Sequence, residues 1–226
     1  MAAAGAVVVD YLGGGGGGGD AAWWCLWLVA MAAATVGHIP SLVRALRAQS
    51  VKGIVFSFFV HDWLAHTLVA LDLGSAQGAD AVGAGPLADA APHVLLAAHD
   101  VAMVLYMCLL LRMLNRVVLA GVSVYVVFVY MMAVAAGPAP WVAAPLHAAL
   151  GPLLFAWSRG RQIWSNWKHR SSGQLAPSTV LVQLIASVAL AGLGVVAARP
   201  VLAAEFGLVS VLHAVLLWQV HSYSSA

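Results

Sequence analysis

The chain has 226 residues, of which 63% are apolar and only 8% charged, with a formal net charge of +2. An ordinary soluble domain carries roughly 25% charged residues, so this composition excludes a water-facing fold, and the small net charge argues against a nucleic-acid partner. Lipid is the solvent that fits, and the expected fold class is an all-α integral membrane protein.

Residues 1–20 contain no Lys or Arg and so lack the basic start of a secretory signal. The Gly13 to Gly19 run is not followed by the Lys-Ser/Thr of a phosphate-binding loop, so the segment reads as a disordered lumenal tail. A spanning helix needs about 20 largely apolar residues. Seven segments qualify: Ala21–Ile39, Gly53–Leu71, His93–Leu111, Val117–Ala136, Trp141–Trp157, Ser178–Ala198 and Val201–Val220. The fifth is the weakest, because Pro145 and Pro152 interrupt it. Cys25 and Cys108 lie inside apolar runs with no disulfide or zinc spacing. Asp72–Pro92 reads as a loop without chemistry, and Trp23, Trp24, Trp27, Trp141, Trp157 and Trp218 as interfacial anchors.

Charge sorting gives the orientation. Arg44, Arg47 and Lys52 follow span one, Arg112 and Arg116 follow span three, and Arg159, Arg161, Lys168 and Arg170 follow span five. Asp10, Asp20, Asp72, Asp80, Asp89 and Glu205 fall on the other side. Because cytosolic loops hold the excess of basic residues, the N-terminus is expected to be lumenal and the C-terminus cytosolic.

The chain also repeats itself. Pro40 to Ser50 after span one and Arg161 to Ser171 after span five have equal length, are both basic, and face the same side. Gly53 and Gly173 follow the two serines closely. The expected layout is two parallel three-helix repeats, 21–111 and 141–222, joined by a linking helix at 117–136. The second copy, Gln162-Ile163-Trp164-Ser165-Asn166-Trp167 followed by Ser171-Ser172-Gly173-Gln174-Leu175, resembles the signature of the PQ-loop repeat family, above all its mannose-P-dolichol utilization defect branch. The family's Pro-Gln pair is split here: Pro40 precedes Ser41, and Arg161 precedes Gln162. The repeat positions this resemblance singles out are Pro40, Ser41, Ser50, Gly53, Gln162, Asn166, Ser171, Gly173 and Gln174.

Polar residues inside spans carry the functional signal. Asp62 and Asp100 fall within reach of the membrane midplane, where an Asp costs roughly 2.5–3.5 kcal/mol. His66 is one turn beyond Asp62 and shares its face, while His61 and His99 adjoin the two acids. Asp62, His66, His99 and Asp100 read as a polar substrate pathway between spans two and three. A structural clamp is the competing reading, and a later start of span three would leave Asp100 near the interface. The same four residues could ligate a metal, but no spacing motif supports one. His147 and His213 read as packing residues, and His38 and His169 as part of the basic interface. Lys168 and Arg170 read as topology determinants or as contacts for an anionic lipid head group.

No nucleophile elbow, zinc-protease helix or nucleotide loop is present, so neither an enzyme nor a cofactor is expected. The resemblance implies a factor of the endoplasmic reticulum that makes dolichol-phosphate mannose and glucose usable in glycosylation, with membrane lipid and dolichol-phosphate sugars as partners. A small-solute transporter of the same superfamily is the alternative, and a membrane scaffold the third reading.

Overall fold

In hydrocarbon every backbone N–H and C=O must be bonded within its own segment, which makes each apolar run a helix. The computed structural model describes residues 19–50, 54–75, 86–110, 140–173 and 175–224. Its helices are α1 (Gly19–Val36), α2 (Ile39–Ala48), α3 (Phe56–Ser75), α4 (Pro86–Leu110), α5 (Pro140–His169), α6 (Pro177–Val196) and α7 (Pro200–Ser224). Proline stands at the start of α4, α5, α6 and α7, and in the first turn of α2; there its missing N–H leaves no helical bond unmade. The glycine-rich tail up to residue 18, Lys52, Gly53, the linking helix at 117–136 and Gln174 lie outside the described residues.

The protein is an all-α integral membrane protein. Among the described residues, Ala21–Ala48, Ala90–Leu109, Pro177–Val196 and Pro200–Tyr223 are each long and apolar enough to cross a membrane. The remaining two long helices, α3 and α5, carry Asp62 and Arg159 in their interiors. Large apolar side chains such as Leu28, Leu109, Leu153, Val188, Val195, Val211 and Trp218 point outward, which in water would be a fault and in lipid is the solvated face.

Helix packing is arranged in two like groups. In the first, α4 lies between α1 and α3; in the second, α7 lies between α5 and α6. The groups meet through α3 against α5 and α1 against α6. Exchanging the first, second and third spans of one group with those of the other leaves this scheme unchanged. Gly194 brings α6 and α7 close, since a Cβ there would stand 2.5 Å from the Ala203 nitrogen; small residues permit such approaches where no hydrophobic force drives helices together. Two apolar clusters form, one around Phe58, Phe59, Met103 and Met107, the other around Trp23, Leu73, Phe155 and Phe206. Trp23 is therefore a core residue, 2% exposed, and not an interfacial anchor.

Several sequence expectations need correction. The α5 helix runs for 30 residues through Pro145 and Pro152, so the prolines do not interrupt it and it is the longest helix among the described residues. It also carries Arg159 inside the bundle, 2% exposed, and not in a basic loop. The expected loop from Asp72 to Pro92 is partly helical, because α3 extends to Ser75 and α4 begins at Pro86. Asp72 and Glu205 accordingly sit in helices.

The repeat is visible in the backbone. Gln49 and Arg170, equivalent in the register that aligns Pro40 with Arg161, both take left-handed φ angles, 46° and 49°. After them the Ser50 amide donates to Ala45 O at 3.2 Å and the Ser171 amide to Asn166 O at 3.3 Å, the same helix-ending bond in both copies. The two copies also cap each other. The Ala176 amide, at the start of α6, donates to Ser41 Oγ at 3.1 Å. The Val55 amide, at the start of α3, donates to Gln162 Oε1 at 2.9 Å. The second position of each split pair thus holds the entry turn of the opposite half. Pro40 does not bend a helix here, because α1 has ended at Val36 and Pro40 lies in the first turn of α2.

Gln162 also donates to Asn166 Oδ1 at 2.7 Å. Gln162→Ala strands a buried amide donor on Val55 and an acceptor on Asn166, and is expected to cost about 1–3 kcal/mol. Thermal unfolding in detergent should show the loss for Gln162→Ala and none for Trp164→Ala, whose side chain is exposed.

Candidate functional site

Between the two apolar clusters lies a layer of polar side chains that only the partnership of both halves can satisfy. An isolated charge in hydrocarbon is expensive, so each of these groups must find a complement on a neighbouring helix. Asp62 of α3, 1% exposed, forms an ion pair with Arg159 of α5, 2% exposed. Ser158 donates to Asp62 Oδ1 at 2.8 Å. The guanidinium lies over the rings of Phe58 at 5.4 Å and Phe155 at 4.8 Å, a placement favoured by the negative ring faces. Arg159 Nε donates to His213 Nε2 of α7 at 3.3 Å. A guanidinium can only donate, so His213 accepts at Nε2 and offers Nδ1–H to Ser187 Oγ of α6, 3.3 Å away.

The other half repeats this network with different chemistry. His38, at the junction of α1 and α2, has Nε2 at 3.0 Å from Asp100 Oδ1 of α4. Gln183 Nε2 of α6 donates to the same imidazole, at 3.1 Å from Nδ1. In the repeat register His38 corresponds to Arg159, Gln183 to Asp62 and Ser187 to His66. A first-span cation or imidazole thus meets a third-span partner of its own group and a second-span partner of the opposite group, twice over. A half-open pocket here is lined by Asp62, His66, Arg159, Gln183, Ser187 and His213 among others.

The four residues expected to form the pathway are only partly brought together. Asp62, His66 and Asp100 offer ligand atoms within 4.8 Å of one another, and Asp100 is fully buried within α4. The α4 helix begins at Pro86, earlier than the expected start of span three at His93. His66 places its ring 4.7 Å from Phe155 and its Nδ1 3.3 Å from His93 Nδ1. His99 is half-buried and lies toward α1, beside the His38 ring and the Ala34 backbone; it does not line the space. His61 reaches the Ser57 carbonyl of its own helix. A metal ion fits poorly, because the Arg159 guanidinium already supplies the positive charge that Asp62 needs. Lys168 and Arg170 are exposed beyond the bundle, with Arg170 against the Trp167 ring at 5.8 Å.

Sequence reasoning missed Arg159, His38, Gln183, Ser187 and His213. Two of the five were recoverable: the repeat register carries Asp62 to Gln183 and His66 to Ser187.

No family model matches this chain, and no curated protein does. Its structure matches the solved structure of a eukaryotic SWEET transporter with a TM-score of 0.67 at 16% identity, covering 92% of this chain and 99% of that one. The fold is SWEET-like. Near-complete coverage of both chains means that the SWEET-like likeness extends over both three-helix groups.

The ion pair makes a sharp prediction. Removing one partner of a buried pair leaves an uncompensated charge, and costs about 3–5 kcal/mol. Arg159→Met and Asp62→Leu should each lower stability by that order in detergent unfolding. The double variant should recover more than half of the summed loss, because apolar residues of similar volume replace such pairs well.

Proposed function

We propose that this chain is a transporter of a small, uncharged polar solute of sugar size, working by alternating access between its two three-helix groups. The observation that carries the reading is the set of polar side chains, Asp62, Gln183, Ser187 and His213, that line a pocket at the meeting of the groups. A lining of carboxylate, amide, hydroxyl and imidazole suits a solute with hydroxyl groups and not a polyprenyl chain. The lining offers donors and acceptors on both sides: Asp62, Gln183, Ser187 and His213 can exchange their mutual bonds for bonds to hydroxyl groups. The likeness to a SWEET transporter supports the same reading.

A second reading has its own observation. The signature from Gln162 to Leu175 resembles the PQ-loop repeat family and its dolichol branch, and Lys168 and Arg170 stand exposed where a phosphate head group could meet them. On that reading the chain serves the use of dolichol-phosphate mannose and glucose at the endoplasmic reticulum, with its basic loops cytosolic.

Uptake of labelled neutral sugars into proteoliposomes separates the two. Transport predicts a saturable flux, at least about tenfold lower in Ala186→Phe, which fills the space at a site 4% exposed with a large rigid ring. Absence of flux for every solute tested, together with shortened lipid-linked glycans in a host lacking the protein, would establish the dolichol reading instead.

A further inference from the structure

A second buried polar site lies apart from the central layer, toward the membrane face on which α4, α5 and α7 begin. His147 of α5 sits between two carboxylates. Its Nδ1 is 2.7 Å from Asp72 Oδ2 of α3, and its Nε2 is 2.7 Å from Glu205 Oε2 of α7. Glu205 has no exposed side-chain surface, and its Oε1 has no hydrogen-bond partner among the described residues. Gly151, one turn along α5, leaves the room: a Cβ there would stand 2.6 Å from Glu205 Oε1 and 2.7 Å from His147 Cδ2. Asp72 reaches outward, its side chain 23% exposed.

The repeat does not account for this site. In the register that aligns Pro40 with Arg161, His147 corresponds to Leu26 and Asp72 to Leu193. One copy has polar groups where the other has leucine.

The geometry fixes a proton count. A neutral imidazole has one N–H and one lone pair, so it can satisfy only one of two flanking carboxylates. Two contacts at hydrogen-bond distance require one further proton, held either as an imidazolium or as a carboxylic acid. Without it a nitrogen lone pair faces a carboxylate oxygen, and that contact becomes repulsive.

We propose that Asp72, His147 and Glu205 form a proton-binding site that fastens the first three-helix group to the second on this face. Asp72 belongs to the first group, and His147 and Glu205 to the second. The bound proton closes α3 onto α5; when it leaves through Asp72 to the adjoining water, the lone pair and carboxylate repel and the face opens. Other charged or titratable groups face the site. His93 of α4 lies within electrostatic reach of His147, and Arg159 of α5 within reach of Glu205. The α6 helix, packed on α7, carries no charged residue. The inference holds whatever solute the chain carries.

The test uses the full chain in lipid nanodiscs, with Cys25 and Cys108 replaced by serine and spin labels at Val94 of α4 and Val201 of α7. Both positions are exposed and belong to different groups. Electron-resonance distances should show a short separation at low pH. A longer one should grow as pH rises, the ratio of the two changing by up to about tenfold per pH unit, the slope one released proton gives. Asp72→Asn supplies an amide N–H to a neutral ring, so the short separation should persist at every pH. Glu205→Gln does the same at the other contact and serves if the first variant does not fold. A separation independent of pH in the unsubstituted protein, or an unchanged pH response in the amide variants, overturns the proposal.

Discussion

The contact between Asp62 and Arg159 constrains the rest of the bundle because neither group can be left alone in hydrocarbon. Taking a carboxylate and a guanidinium out of water costs several kcal/mol each, and only close pairing with further hydrogen bonds repays it. Asp62 is on α3 and Arg159 on α5, so the pair also binds one three-helix group to the other. Ser158, His213 and the rings of Phe58 and Phe155 complete its surroundings. The two apolar clusters on either side of this layer keep it dry, which strengthens each polar contact and raises the cost of losing one.

Its counterpart across the bundle shows how a duplicated arrangement can diverge. Where the second group supplies Arg159, the first supplies His38; where α3 supplies Asp62, α6 supplies Gln183. A fully charged pair is thereby matched by a neutral amide and an imidazole. The acid on that side is Asp100 of α4, within the same group. The layer is therefore symmetric in which helices touch and asymmetric in where its charge lies. A polar solute between the halves would meet a carboxylate and guanidinium on one side and an amide on the other.

Much of this was legible in the residues, for physical reasons that also explain the gaps. Sustained apolar runs and alternating charge fixed the spans, and equal spacing from Pro40 to Ser50 and from Arg161 to Ser171 fixed the repeat. Asp62 and Asp100 were visible because an acid inside an apolar run must be paired, protonated or wetted. Arg159 was hidden by the same rule on which the expected orientation rests: a cation near the end of an apolar run is counted as a loop residue, and nothing local reveals that α5 continues to His169. His38 was misplaced likewise, beside Arg44 and Arg47. Asp72, His147 and Glu205 come from three helices far apart in sequence, so each read alone as a loop acid, a packing histidine and an interfacial acid. Only the packing of α3 and α7 against α5 shows that they meet.

That packing sets a condition on any motion between the groups. The main contacts joining them are α3 with α5 and α1 with α6, and the polar bonds across those seams include Asp62 with Arg159, Gln183 with His38, and Asp72 with His147. A rocking motion must loosen at least one seam, and a buried polar group that loses its partner costs about 1–3 kcal/mol, more when charged. A ligand can drive such a motion only through its different affinity for the two arrangements. A solute with several hydroxyl groups meets that condition, since it can take over bonds that Asp62, Gln183 and His213 give up as the seams part. An apolar solute cannot, because it would leave those groups unpaired in a dry layer. The chemistry of the seam, more than the size of the space, therefore limits the class of molecule that could pass.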